Sequence, residues 1–257
     1  MSIFRFRVFK EYFSQKFRSF AEYPLNFSIS LFWALFSLLV FYFFWSLVFS
    51  RGTIVNYDLT KMILYYLFVL CLWYDFVLIK SLGRSIVEGD IMKTLVRKVN
   101  LEEHFMYTCL SSFIVWMLVP LFVILIVGLY FLGLSALFGI LIFIAGMIIG
   151  TLIYSLLTCL SFWLGYVWSI FFIVDELIQL CSGSILPLDL FPHLFQIAVI
   201  EYLPFNLMFF VPAKVFLGDM TITWALIGKY LIWIIALYLV LKFVIKLGLK
   251  RYEQLGG

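Results

Sequence analysis

Charge is what this chain has least of. Asp, Glu, Lys and Arg make up 12% of its 257 residues, against roughly 25% in an average soluble domain. Fourteen acids and eighteen bases cannot clothe a water-soluble globule of this length, which excludes a soluble enzyme or a disordered chain. Histidine is also scarce: His104 and His193 are the only two. The topology derived below puts them on opposite sides of a membrane, so they share neither a metal nor an acid–base role. HExxH and GxSxG are absent, which argues against an intramembrane metalloprotease or a familiar serine hydrolase. GxxxxGK[ST] is absent too, so the chain has no phosphate-cradling loop of its own. No catalytic residue, cofactor-binding residue or metal ligand is therefore expected. Cys71, Cys109, Cys159 and Cys181 lie in or beside apolar runs without CxxC spacing. They read as packing residues and not as a disulfide framework or zinc site. The first 20 residues lack the apolar core and small-residue cleavage site of a signal peptide.

Apolar residues are abundant, at 65%, and mean hydropathy is +1.13. That leaves an all-α, polytopic membrane protein forming a single transmembrane domain over residues 1–257. Six spans are expected, over about 26–49, 61–80, 104–130, 134–157, 160–180 and 223–246, each near the ~20 residues a helix needs to cross a bilayer. Fourteen of the eighteen Lys and Arg fall in three regions: the N-terminal segment, the loop between the second and third spans, and the C-terminal tail. The positive-inside rule then places these regions, and both termini, in the cytoplasm. The same rule accounts for the net charge of +4 without a nucleic-acid partner.

Ahead of the first span, residues 4–20 form an amphipathic interfacial helix. Phe6, Phe9, Phe13, Phe17 and Phe20 recur at steps of three or four, and Arg7, Lys10, Ser14 and Arg18 occupy another face. Such a helix lies in the headgroup layer against anionic lipid, and the same surface is available to a cytoplasmic partner. Pro24 ends it. The cytoplasmic loop Ser81–Glu103 mixes charges with Ile86, Ile91, Met92, Leu95 and Val96, a pattern that predicts a short amphipathic helix starting near Asp90. Residues 182–222, on the external side, hold Pro187, Pro192, Pro204 and Pro212, four of the six prolines, yet stay strongly apolar. Proline breaks helices and apolarity keeps the fragments from water, so a re-entrant set of short helices capping a cavity or its exit is expected. Asp75, Asp175 and Glu176 lie within spans. Intramembrane carboxylates are costly and often functional; they suit either a proton or cation site or a hydrogen-bonded packing pair at a subunit interface.

Four local motifs carry a resemblance over essentially the whole chain. Arg84-Ser85-Ile86 through Glu88-Gly89-Asp90-Ile91 to Leu95-Val96-Arg97 is similar to the segment "I..G.I...L.RP" of type-2 ABC exporter permeases, bacterial branch. Lys98 stands where that family has proline. Ser182-Gly183-Ser184 followed by Pro187-Leu188 and Phe191-Pro192 resembles its "G..(I/L)PL..FP" turn. Leu203-Pro204-Phe205 with Pro212 and Gly218 resembles its "LPF......P.....G" stretch, and the tail GLKRYEQLGG its "GL.RYES.G" ending. The resemblance implies a permease subunit of an ATP-driven exporter in the bacterial plasma (inner) membrane. It implies a second permease chain, homologous or identical, and an ABC ATPase dimer that binds the ATP. Residues 84–100 would be the coupling helix, with Glu88, Asp90, Ile91, Leu95 and Arg97 against the ATPase. The alternative is a proton-coupled secondary transporter using Asp75, Asp175 and Glu176. A lipid-modifying enzyme, lacking an Asp-rich motif, and an assembly protein are weaker rivals.

Overall fold

The computed structural model describes residues 6–22, 24–54, 56–72, 83, 86–88, 101–165 and 168–254. Its elements there are helices joined by short turns, apart from an isolated antiparallel bridge between Ile54 and Tyr57. Helix α1 (Phe6–Glu22) is followed by α2 (Pro24–Arg51), whose first residue is the proline expected to break the chain there. Proline suits that position because its missing N–H would have no intrahelical partner. On α1 the inward aromatic face is narrower than the phenylalanine spacing suggested. Phe9 and Tyr12 pack on Tyr107, with ring centroids 6.2 and 5.9 Å apart, while Phe6 and Phe17 stay exposed beside Arg7 and Arg18.

A tight turn joins α2 to α3 (Leu59–Leu72). Asn56 adopts φ 68° there, a left-handed conformation that asparagine tolerates better than most residues. Asp58 caps α3, its Oδ1 accepting the Lys61 N–H at 2.7 Å. Helix α4 (Leu101–Leu132) continues through Pro120, and α5 (Leu134–Cys159) runs on after one turn into α6 (Ser161–Leu164). The fifth expected span starts later than its hydropathy indicated. Residues 160–164 extend the preceding span, and α7 begins only at Trp168 (Trp168–Ser182). The break falls at Gly165, whose φ of +68° is available to glycine at no steric cost.

After α7 the four prolines act largely as expected. Pro187, Pro192 and Pro204 each stand immediately before a helical turn: the 3-10 turn Leu188–Leu190, α8 (His193–Tyr202) and the 3-10 turn Phe205–Leu207. Pro212 lies in the first turn of α9 (Phe210–Phe216). The long α10 (Trp224–Gln254) completes the chain.

By length and composition three stretches suit a membrane crossing: Phe32–Arg51, Leu134–Leu164 and Trp224–Arg251. A fourth is added if α8 and the 205–216 piece, bent by 78°, count as one span. The other expected spans fall on α3, α4 and α7: shorter apolar stretches lie at Leu59–Leu70 and Pro120–Leu132, α7 is 15 residues long, and residues 73–80 of the second expected span lie outside the described residues. The centre of the fold is α5: 56% of its long stretch is buried in protein, against 6% for the α2 stretch and 17% for the α10 stretch. Around it pack α4, α9 and α10. Where α3, α5 and α9 meet, Phe68, Phe143, Phe209 and Phe216 are fully buried, with the Phe68 and Phe216 rings 4.7 Å apart.

Candidate functional site

The part of the fold that departs most from simple spans is residues 183–222, and two opposite kinds of contact hold it. One is a glycine seam on α5. A Cβ placed on Gly139 would stand 2.5 Å from the Phe216 Cα, and one on Gly146 would stand 2.5 Å from the Leu207 carbonyl oxygen. These glycines are seven residues apart, two turns along one face of α5. Lipid tails are as apolar as the packing side chains, so close van der Waals contact, and not hydrophobic transfer, drives association in a membrane. Glycine supplies that closeness, and Gly128 on α4 does the same against the Phe216 ring.

Irregular backbone also needs hydrogen-bond partners where it is buried. They come from side chains of several elements. Tyr65 donates to the Gly183 carbonyl at 2.5 Å and Tyr66 to that of Ile185 at 2.9 Å. Gln196 reaches the carbonyls of Asp189 and Phe191 at 3.0 and 2.7 Å. Tyr230 donates to Leu207 at 2.7 Å, Ser135 to Phe216 at 3.1 Å, and the Lys229 ammonium to Ile200 near the end of α8.

The second contact is a charged network that the sequence reading did not contain. Lys214, on α9, is nearly buried and lies 2.5 Å from Asp189 Oδ2 and 3.4 Å from Asp219 Oδ2. Its ammonium also stands 4.5 Å from the centroid of the Tyr57 ring, within cation–π range. The Tyr57 hydroxyl donates to Asp189 Oδ2 at 3.0 Å, and Lys61 pairs with Asp219 Oδ1 at 2.8 Å. Burial, and then the Asp189 carboxylate, push the Tyr57 phenol well above its ordinary value, so it is a neutral donor at physiological pH. Two lysines and two aspartates balance in charge; Lys214 is the buried member, and the other three side chains keep contact with solvent. The one local clue in sequence was Lys214 and Asp219, both oddly charged for so apolar a stretch.

Of the residues singled out from sequence, Asp75, Asp90, Ile91, Leu95 and Arg97 lie outside the described residues. Glu88 is exposed, two residues after the buried Ile86. Gly83 packs where α5 meets α6, beside Ser161 and Thr158. Asp175 accepts the Tyr154 hydroxyl at 2.5 Å and the Gln179 amide at 3.1 Å. Glu176 is next in sequence but exposed, and makes no hydrogen bond or ion pair among the described residues. Asp175 thus joins α5 to α7 as a bonded packing group, apart from Glu176. His104 meets Tyr12 at 2.6 Å, linking α1 to α4, whereas His193 is exposed at the start of α8. Among the described residues no cluster of three or more His, Cys, Asp or Glu could hold a metal ion.

Residues 35–256 match the family described as ABC-2 family transporter protein. No curated protein matches the chain significantly.

Proposed function

Since the chain belongs to the ABC-2 transporter family as a multi-pass membrane permease, we propose that it is one half of the translocation path of an ATP-driven exporter in a bacterial inner membrane. It pairs with a second permease, identical or homologous, and two ATPase subunits bind and hydrolyse the ATP. Both termini and the 84–100 segment face the cytoplasm. There Glu88, Asp90, Ile91, Leu95 and Arg97 form a coupling helix seated in the ATPase. Closure of the ATPase dimer around ATP moves that helix as a rigid lever and changes access to the path.

The observation that carries this reading is the family match over residues 35–256. The proline-broken segment packed on the α5 glycines supports it, because irregular backbone at membrane depth belongs beside a path or its mouth. Residues 182–222 are accordingly the re-entrant cap on the external side. The rival proton carrier has less support, since Asp175 already takes two hydrogen bonds and stands apart from Glu176.

The deciding experiment is purification of the tagged chain from its native membrane in mild detergent, with assay of vanadate-sensitive ATP hydrolysis. A co-purifying ATPase is expected. A chain that purifies alone in several detergents refutes the reading. Given the complex, charge substitutions at Ile91, Leu95 and Arg97 should uncouple hydrolysis from transport while leaving the spans folded.

A further inference from the structure

We propose that the hairpin between α2 and α3 is a detachable latch on the 183–222 segment. Tyr57 and Lys61 make its grip, and its release uncovers the turn at Gly183–Ile185. That release occurs in a transport cycle rests on the permease reading; the latch itself rests on the geometry alone.

The argument is which charges depend on which. Three charged groups of the network sit on the segment and satisfy one another: Lys214 lies 2.5 Å from Asp189 and 3.4 Å from Asp219. Backbone bonds hold the last pair together, since the N–H groups of Asp219 and Met220 both donate to the Lys214 carbonyl, at 3.0 and 3.2 Å. The hairpin adds the Tyr57 hydroxyl on Asp189, the Tyr57 ring against Lys214, and Lys61 on Asp219. Each of these polar contacts therefore falls on a group that already has a partner in the segment. Removing one member of a buried ion pair is costly because the other is left uncompensated. Withdrawing the hairpin orphans no group: the one excess negative charge falls on Asp189 and Asp219, whose side chains are 30% and 22% exposed. Asp189 and Asp219 keep Lys214, and Lys61, whose side chain is already 39% exposed, returns to water.

The hairpin is also built to move as a unit. The Ile54–Tyr57 bridge, the left-handed Asn56 and the Asp58 cap are internal to it and to the first turn of α3. Further along α3, Tyr65 and Tyr66 are buried and hold the 183–185 turn by neutral bonds to carbonyls, so uncovering the turn requires the first two turns of α3 to lift while Phe68 stays packed on Phe216. Ser184 lies buried in that turn and reports on its opening.

The test uses the intact complex in nanodiscs, with Cys71, Cys109, Cys159 and Cys181 replaced by alanine and Ser184→Cys as the reporter. A membrane-impermeant maleimide is the probe. Slow labelling is expected in the parent, at least tenfold faster labelling in Tyr57→Phe/Lys61→Met, and the parent rate in Lys61→Arg, which keeps the ion pair. Circular dichroism and gel filtration establish that each variant is folded, and Lys61→Met alone gives an intermediate rate if the double variant is not. Labelling within twofold of the parent in the folded Tyr57→Phe or Lys61→Met variants, or Lys61→Arg labelling as fast as Lys61→Met, overturns the latch. In a complex that hydrolyses ATP, adding ATP should speed labelling of the parent, and a short bis-maleimide bridge between Lys61→Cys and Asp219→Cys should abolish that increase. No ATP effect in a hydrolysing complex refutes release during the cycle. Absence of hydrolysis refutes the permease reading instead, and the variant series still decides the latch.

Discussion

Adding a single methyl group to Gly139 or Gly146 should destabilise the protein, although the same change inside an exposed helix stabilises it. Gly→Ala gains up to about 1 kcal/mol in helix propensity. Gly228 on α10 has nothing within 4 Å of where its Cβ would be, so Gly228→Ala should show that gain. At Gly139 and Gly146 the new carbon would stand 2.5 Å from backbone atoms of the 205–216 piece. Carbon atoms pack best at about 3.5–4.0 Å, so the piece must retreat by about 1 Å, and a gap of that size forfeits a quarter to a half of each contact it opens. Overpacking of this kind costs about 1–3 kcal/mol. Net of propensity, each variant should lose up to about 2 kcal/mol. At about 2–4 °C per kcal/mol for chains of this size, thermal unfolding in detergent should fall by several degrees. Phe216 and Leu207 belong to one connected piece, so one retreat relieves both clashes. Gly139→Ala/Gly146→Ala should then cost less than the sum of the single changes. If Gly139→Ala and Gly146→Ala melt at or above the wild-type temperature, as Gly228→Ala should, the seam does not position the segment.

Three further outcomes follow from the polar contacts. Tyr154→Phe removes a donor to Asp175 and should lower stability by about 1–3 kcal/mol without affecting labelling at Ser184→Cys; a melting curve that matches wild type would remove Asp175 from the α5–α7 contact. Lys214→Met leaves Asp189 and Asp219 without their shared cation. Both carboxylates keep some water, so the expected loss is about 1–3 kcal/mol, below the roughly 3–5 of a fully buried pair, and larger than that of Lys61→Met by thermal unfolding. The Tyr57 phenol is raised in the folded protein, which therefore binds that proton more tightly than the unfolded chain does. Its contribution is complete below the ordinary tyrosine value of about 10 and shrinks as pH rises past it. The stability difference between wild type and Tyr57→Phe should thus be constant from about pH 6 to 9 and narrow above about pH 10; a difference that changes near neutrality would contradict the assignment.

The features legible in sequence are those written locally. Pro24 marks the start of α2, and the prolines at 187, 192 and 204 mark where short helices begin, because the ring acts within one residue of where it stands. The break at Gly165 was missed because hydropathy does not change across it: Ser161–Leu164 continues the apolar run, and only the glycine's left-handed backbone ends it. The charged network was illegible for another reason. Tyr57 and Asp189 are 132 residues apart, and Lys61 and Asp219 are 158 apart. No periodicity connects them; the pairing exists only once α3 and α9 are packed together. Asp175 lay between these cases. Gln179, four residues on, was visible as a helical neighbour, whereas Tyr154 became its partner only through the packing of α5 on α7.

The two holds on the 183–222 segment differ in range, and the difference decides which end of it can move. Contact along the α5 glycines is dispersion, which loses a quarter to a half of its strength within about 1 Å of separation, so partial opening there loses attraction and gains nothing. The Asp189–Lys214–Asp219 group keeps an ion pair to each carboxylate whether or not Tyr57 and Lys61 are present, and its one excess negative charge lies on partly exposed oxygens. Coulomb attraction falls only as the inverse of distance, so Lys61 still draws the hairpin back after the direct contact with Asp219 has opened. A segment held in this way stays fixed on α5 and yields at the hairpin. The glycines act as the anchored side and Lys61 as the side that lets go. This makes the order of effects testable within one protein: Gly139→Ala and Gly146→Ala should lower thermal stability far more than they speed labelling at Ser184→Cys, and Lys61→Met should do the reverse. Equal ratios in the two sets would mean that the segment moves as a whole, with no anchored side.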